Sequence, residues 1–189
     1  MKIKNITMAV ALGLAAWSAQ AANIDHTIDL IGDSEVGWSA GLSDPSGTAV
    51  NHALSGSFTD TFVFHFSGTG IVDVWLDTAS SANALATQQI VFTGATLNGV
   101  ALTLDPEWIS GGTVFRTAGL FQETLSGDLT LVVNGYAGLL GSQGQRISAS
   151  YSGGLNVMPT SAVPEPESYA LMLAGLGVVG LLARRRKIA

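Results

Sequence analysis

Residues 58–66, FTDTFVFHF, decide the fold. Aromatic side chains recur with a period of two, at Phe58, Phe62, Phe64 and Phe66. This period is typical of a β-strand that buries one face. Asp60 interrupts the aromatic series on the buried face, where an apolar side chain is expected. The stretch therefore predicts a strand whose inner face carries one carboxylate.

Turn signals separate this strand from further β-rich runs. A Gly-Thr-Gly turn at 68–70 leads into an apolar run that ends at Leu76, and Asn98-Gly99 lies between β-favouring flanks, a strong hairpin signal. Residues 32–57 are rich in Gly, Ser, Asp and Asn and predict loops with one short strand at most. No stretch of the domain has a helical period. The pattern predicts an all-β, single-domain antiparallel β-sandwich or jelly roll over residues 22–162.

The N-terminus has the three parts of a secretory signal peptide. Lys2 and Lys4 supply a charged region, an apolar core follows, and Ala19 and Ala21 form a small-x-small cleavage site. We expect residues 1–21 to be a signal helix that is cut after Ala21.

The C-terminus, residues 163–189, also has three parts in a fixed order. Val163, Pro164, Glu165 and Pro166 precede a 15-residue apolar run, Tyr169–Ala183, which is followed by a basic cluster of Arg184, Arg185, Arg186 and Lys187. The run predicts a transmembrane helix, although it is shorter than the ~20 residues of an ordinary span. The basic cluster is placed to hold its end on the cytoplasmic side.

This tail resembles the PEP-CTERM sorting signal of exopolysaccharide-producing Gram-negative bacteria. The resemblance implies recognition by exosortase, a membrane transpeptidase that acts near the Pro-Glu-Pro element. It also implies export through the inner membrane, a transient hold there, and delivery to the cell surface or the exopolysaccharide matrix.

The charge of the chain is concentrated at its two ends. The whole sequence has a net charge of −6, but residues 22–162 contain only Arg116 and Arg146 against twelve carboxylates, which gives −10. Such a domain repels nucleic acid and anionic membrane surfaces. The chain has no cysteine, which excludes disulfides, thiolate metal sites and cysteine nucleophiles.

A second resemblance covers most of the domain. Its elements are the Phe58, Asp60 and Phe62 motif, the LVVNG segment at 131–135 and the SYSGG segment at 150–154. In this order, ahead of a Pro-Glu-Pro tail, they resemble the FxDxF family of PEP-CTERM proteins. That resemblance implies no biochemical activity.

Asp60 is the residue most in need of an explanation. A carboxylate among inward aromatic side chains is costly unless it accepts hydrogen bonds or coordinates a cation. We expect it to cap N–H groups of a neighbouring segment, with a calcium site as the alternative. His26, His52 and His65 lack metal-ligand spacing and predict surface or strand-face positions. We therefore expect no metal and no cofactor.

Two motifs imitate catalytic or nucleotide sites. Residues 37–41, GWSAG, match the nucleophile-elbow pattern around Ser39, but the following LSDPSG segment cannot form the helix that an elbow needs. Residues 175–180 match G-x-G-x-x-G inside the apolar run, without the βαβ context of a dinucleotide site. We assign no catalytic residue.

The sequence therefore favours a non-catalytic structural or adhesive protein of the surface or matrix. The first alternative is a carbohydrate-binding module that uses an exposed aromatic residue. Trp108, between Pro106 and Gly111, is the best candidate, whereas the apolar neighbours of Trp75 predict a core position. The second alternative is a secreted hydrolase that uses Ser39 or a pair of carboxylates.

Overall fold

The computed structural model describes residues 21–81, 89–160 and 170–177, and most of them lie in β-strands. In chain order the strands of these residues are β1 (Asp25–Ile28), β2 (Ile31–Asp33), β3 (Gly37–Gly41), β4 (Val50–Leu54), β5 (Gly56–Phe64), β6 (Thr69–Ser81), β7 (Ile90–Leu97), β8 (Val100–Ala101), β9 (Thr103–Leu104), β10 (Trp108–Ser110), β11 (Thr113–Ser126), β12 (Leu129–Ala137) and β13 (Arg146–Pro159).

The strands form two main sheets. Sheet 1 has the order β1-β5-β12-β7-β8, and sheet 2 has the order β10-β11-β6-β13-β3-β2. In addition, β4 pairs with β13 and β9 pairs with β11. The pairings are antiparallel, as the sequence predicts, except that β1 runs parallel to β5. The jelly-roll connectivity stays a prediction.

Both sheets bury alternate side chains in one core. Sheet 1 contributes Phe62 and Phe64 from β5 and Leu131 from β12, all without exposed surface. Sheet 2 contributes Val74 and Leu76 from β6, which are equally buried. Burying such side chains is the main favourable term in folding, at about 1.5–3 kcal/mol for each large one. The FTDTFVFHF stretch thus buries one face in the core, as its period of two predicts.

The Asn-Gly hairpin is confirmed. It joins β7 to β8, and Asn98 and Gly99 have φ angles of 49° and 84°. Two consecutive positive φ angles define the turn whose twist matches that of the paired strands, which explains the preference for Asn-Gly.

The prediction for residues 32–57 was wrong. This Gly- and Ser-rich segment contains β3 and β4, and both pair with β13. Their pairing partner lies about a hundred residues further along the chain, so no local pattern revealed it. The tertiary partner overrides the weak β-propensity of the segment.

The predicted C-terminal span is described only at residues 170–177, which are helical. Across the three described ranges, the structure contains no helix with the length and apolar character needed to cross a membrane. The predicted transmembrane helix is therefore not supported by these residues.

Candidate functional site

Asp60 lies at the centre of β5 with its side chain directed into the core. Its exposed fraction is 0%, and Phe58 and Phe62 on either side are also buried. All three residues of the F-x-D-x-F motif therefore face inward. This confirms the inward carboxylate that the alternation predicts.

Three groups from outside β5 meet the Asp60 carboxylate. The Ile24 N–H donates to Oδ1 at 2.8 Å, and the Tyr151 hydroxyl donates to Oδ2 at 2.7 Å. His52 Nε2 lies 3.0 Å from Oδ2. A carboxylate accepts and does not donate, so this geometry assigns the proton to Nε2. The expectation that Asp60 caps a neighbouring N–H group holds for Ile24, while the two side-chain partners are additional.

These contacts join separate elements across the core. Asp60 belongs to sheet 1, Tyr151 lies on β13 of sheet 2, and His52 lies on β4 beside β13. The Ile24 N–H comes from the residue before β1. We call Asp60, His52 and Tyr151 the buried triad. It fixes the two sheets and the N-terminal segment relative to one another.

The rings around the triad are packed in a stack. The His52 and Phe58 rings are 4.1 Å apart and 24° from parallel, and Phe92 meets Tyr151 edge-on at 5.5 Å. His52 Nδ1 is buried without a hydrogen-bond partner. Burial, followed by the negative charge of Asp60 and its hydrogen bond, raises the pKa of the Tyr151 hydroxyl far above its usual value.

The triad is closed to a substrate. His52 and Tyr151 are each only 2% exposed, and the carboxylate is fully buried. The His52 and Tyr151 side chains are also both hydrogen-bonded to the Asp60 carboxylate. The arrangement can align the sheets, but it offers no open position at which a substrate could meet the carboxylate or the imidazole. Among the residues with described positions, no group of three or more possible metal ligands exists either.

The three histidines lie in different environments. His52 lies on a strand face, one of the two positions expected, but this face of β4 is buried and the side chain meets Asp60 in the core. His65 is exposed and lies 3.3 Å from an Asp128 carboxylate oxygen. His26 lies on β1, opposite Phe62. The signal for His52 was weak because β4 itself was not recognised.

Ser39 does not form a nucleophile elbow. It lies within β3 on the outer face of sheet 2, opposite Asn156 and Ile31. The segment after β3 is a loop, as predicted. The Asp44 carboxylate in that loop accepts bonds from Ser46 and Thr48.

The Asp44 carboxylate is fully engaged by donors of its own loop. Its hydrogen bonds, chiefly that from the Ser46 hydroxyl, lower its pKa to about 2. A carboxylate held by four donors of its own loop is a structural cap.

Two acidic pairs lie close enough to share a cavity. Asp105 and Glu107 line a pocket of about 220 Å³, where Glu107 forms an ion pair with Arg116 and Asp105 accepts a bond from Thr117 at 2.7 Å. Asp33 and Asp73 line a larger groove on sheet 2. The hydrolase alternative stays a prediction.

Of the two tryptophan predictions, that for Trp75 was wrong and the exposure of Trp108 is confirmed. Trp75 was predicted in the core, but it is 38% exposed on the outer face of β6. Trp108 is 44% exposed, yet its ring stacks on Phe115 at 5.3 Å and 13°. Trp108 therefore shares one face with another ring, and Trp75 emerges as a second accessible indole.

The predicted targeting residues lie mostly outside the described ranges. This applies to the cleavage-site residue Ala19, to the sorting motif Val163, Pro164, Glu165 and Pro166, and to the cluster Arg184, Arg185, Arg186 and Lys187. Ala21, the last residue before the predicted cut, is described and is 2% exposed in the core. In the G-x-G-x-x-G match, Gly175 and Gly177 are described and lie in the helical segment.

Comparison with known families identifies a sorting signal in the chain. Residues 162–187 match the model of the PEP-CTERM protein-sorting motif. The chain carries a PEP-CTERM signal. The motif indicates a secreted protein that is processed by exosortase and exported across the inner membrane toward the cell surface. No curated protein and no solved structure is significantly similar to the chain.

Proposed function

We propose that the chain is the precursor of a non-catalytic surface or matrix protein of an exopolysaccharide-producing cell. Exosortase removes the tail after a transient hold in the inner membrane, and the β-domain acts as a structural or adhesive component. The PEP-CTERM match at residues 162–187 carries the proposal. We also propose membership of the FxDxF family on the inward Phe58, Asp60 and Phe62 motif.

The interior of the domain supports a structural role. Its buried polar residues serve the fold, since the Asp60 carboxylate connects both sheets and the N-terminal segment. Ser39 lies in mid-strand on an outer face, without the turn that exposes a nucleophile. The strongly acidic domain also suits an exported life, because its net charge keeps it soluble and away from anionic surfaces.

The sorting step is tested by replacing Pro164, Glu165 and Pro166 with alanine in a host that has exosortase. We expect the variant to accumulate as the longer, unprocessed form in the inner-membrane fraction, while the unaltered chain is shortened and leaves it. Ser161→Ala, directly outside the matched motif, is the control and should be processed normally. Identical processing of the motif variant and the control would contradict the proposal.

The structural role is tested by deleting the gene. We expect a loss of biofilm or floc cohesion that is restored by the wild-type chain. Hydrolysis of the matrix polysaccharide by the purified wild-type chain would contradict a non-catalytic role. Unchanged cohesion after deletion would contradict a role in the matrix.

A further inference from the structure

The outer face of sheet 2 presents aromatic rings to solvent. Along β6 the side chains of Val72, Val74 and Leu76 point into the core. The intervening positions point outward, and among them Trp75 is 38% exposed. Because side chains alternate strictly along a strand, Trp75 is a fixed part of this outer face.

The indole of Trp75 lies against the neighbouring strand. Gly154 on β13 is paired with Trp75, and a Cβ atom at Gly154 would lie 2.6 Å and 2.7 Å from two atoms of the indole ring. The ring therefore covers the position where a side chain would otherwise stand. The indole thus covers Gly154 and leaves 38% of the Trp75 surface exposed to solvent.

A second ring repeats this arrangement on the other side. Gly119 on β11 is also paired with Trp75, and a Cβ atom at Gly119 would lie 2.5 Å from the ring of Phe121. Phe121 is 63% exposed. Two aromatic rings thus cover glycine positions in one cross-strand row. We call Trp75 and Phe121 the aromatic platform.

Polar side chains flank the platform on one side in register. Asp73 on β6 is paired with Asn156 on β13, which is paired with Ser39 on β3. Two residues along a strand span roughly 7 Å, so this polar row lies roughly 7 Å from the row of Trp75. A carboxylate, an amide and a hydroxyl are therefore presented beside the rings.

The opposite flank has the same character. Asp77 follows Trp75 by two positions and is paired with Ser152, whose hydroxyl donates to Asp77 Oδ2 at 2.8 Å. Thr117 is paired with Asp77 on the other side. The platform is therefore bordered by hydrogen-bonding groups along both edges.

The platform continues into a groove beside the β2–β3 hairpin. The groove has a volume of about 540 Å³, and it is lined by the polar row of Ser39, Asp73 and Asn156. The exposed apolar side chains of Ile31 and Met158 line it as well. An extended ligand can therefore contact the rings and the groove together.

The negative charge of this face disfavours polyanionic ligands. The titratable side chains along it and in the groove include Asp33, Asp73 and Asp77, and the surrounding domain has a formal charge of −10. Polyanions such as nucleic acid or polyuronate are repelled by such a surface. Uncharged polymers with many hydroxyl groups are not.

We propose that the aromatic platform and the adjoining groove bind an uncharged polysaccharide chain. The C–H bonds of a pyranose ring carry slight positive charge and suit the negative face of an aromatic ring. Its hydroxyl groups donate to Asp73 and exchange hydrogen bonds with Asn156 and Ser39. The site names a ligand class for the proposed matrix protein and rests on that function.

The test is retention of the full-length chain on insoluble cellulose and retardation in gels that contain soluble mixed-linkage β-glucan. We expect Trp75→Ala to weaken binding about 10-fold, equivalent to about 1.4 kcal/mol, since aromatic anchors carry much of the binding energy of an interface. Ile109→Ala, which truncates an exposed apolar side chain on β10 of the same sheet outside the platform, is the control and should bind as wild type. Asn156→Ala, at an exposed position, should weaken binding without affecting the fold.

Three outcomes would overturn the proposal. They are failure of the wild-type chain to bind either glucan, equal binding by wild type and Trp75→Ala, and equal or tighter binding to alginate, a polyuronate. Urea unfolding of each variant separates loss of the site from loss of the fold, and Asn156→Ala decides the matter if Trp75→Ala is unfolded.

Failure of the site can be told apart from failure of the sorting proposal. The variant with Pro164, Glu165 and Pro166 replaced should still bind glucan, because its platform is intact. Normal processing without glucan binding refutes the platform alone. Glucan binding without processing refutes the sorting proposal alone.

Discussion

Replacing Asp60 with alanine removes the acceptor that holds three core groups. The Ile24 N–H, the Tyr151 hydroxyl and His52 Nε2 all lose their partner inside a site with almost no exposed surface. An unsatisfied buried polar group costs about 1–3 kcal/mol. Partial entry of water reduces the sum, so we expect a loss of about 3–5 kcal/mol in the free energy of unfolding.

That loss is a large fraction of the total stability of a domain, which is about 5–15 kcal/mol. The assay is equilibrium urea unfolding followed by tryptophan fluorescence. With a slope of about 2 kcal/mol per molar urea, the midpoint should fall by about 2 M. Asp25→Ala, which removes an exposed carboxylate on β1, is the matched control and should stay within about 0.5 kcal/mol of wild type.

Tyr151→Phe separates the hydrogen bond from the packing. It keeps the ring contacts with Phe92 and removes the donor to Asp60, so we expect a loss of about 1.5–3 kcal/mol. In the double variant with Asp60→Asn the losses should be less than additive, because both changes break one shared interaction. Additive losses, or an Asp60→Ala midpoint equal to that of Asp25→Ala, would refute the bridging role.

Three further outcomes follow from the same structure. Burial raises the pKa of the Tyr151 hydroxyl in the folded chain, so the unfolded chain releases this proton first, near the usual pKa of 10. The free energy of unfolding should therefore fall above pH 10 by about 1.4 kcal/mol per pH unit. Urea midpoints that decline less steeply with pH in Tyr151→Phe than in wild type would support this, and equal slopes would exclude it. Gly135→Ala should lower the free energy of unfolding by about 1–3 kcal/mol, because the new methyl group meets the Phe58 ring. The methyl group of Gly94→Ala points into open space and should leave the thermal midpoint nearly unchanged. Similar midpoints for the two variants would count against this packing. Ser39→Ala should leave any hydrolysis of ester or glycoside substrates by the purified chain unaltered, and activity that disappears in this variant would restore the hydrolase alternative.

Part of this fold was accessible from local patterns. The alternation around Phe62 predicted an inward strand, and Asn98-Gly99 predicted a hairpin, because both signals lie within a few neighbouring residues. β4 was not accessible, since its pairing with β13 joins segments about a hundred residues apart. The parallel pairing of β1 with β5 likewise depends on a distant partner.

The candidate sites were likewise predictable from local patterns only in part. The inward carboxylate of Asp60 followed from alternation, but its partners lie on other strands, and Tyr151 is 91 residues away. The error at Trp75 was avoidable. Val72, Val74 and Leu76 set the phase of β6, and that phase directs Trp75 outward even though its neighbours are apolar. Phase along a strand predicts exposure better than local hydrophobicity.

If the signal cut falls after Ala21, as the sequence predicts, the buried position of this residue implies an order of events during maturation. The predicted signal cut falls directly after this residue, which is 2% exposed, and the Ile24 N–H three positions later is already bound to Asp60. A protease needs an accessible, extended segment, so cleavage has to come before the N-terminal segment docks. β1 is short and lies at the edge of sheet 1, where it pairs in parallel with β5. We therefore predict that export and folding are coupled, because the carboxylate in the core obtains its backbone partner, the Ile24 N–H, only after the predicted leader has been removed.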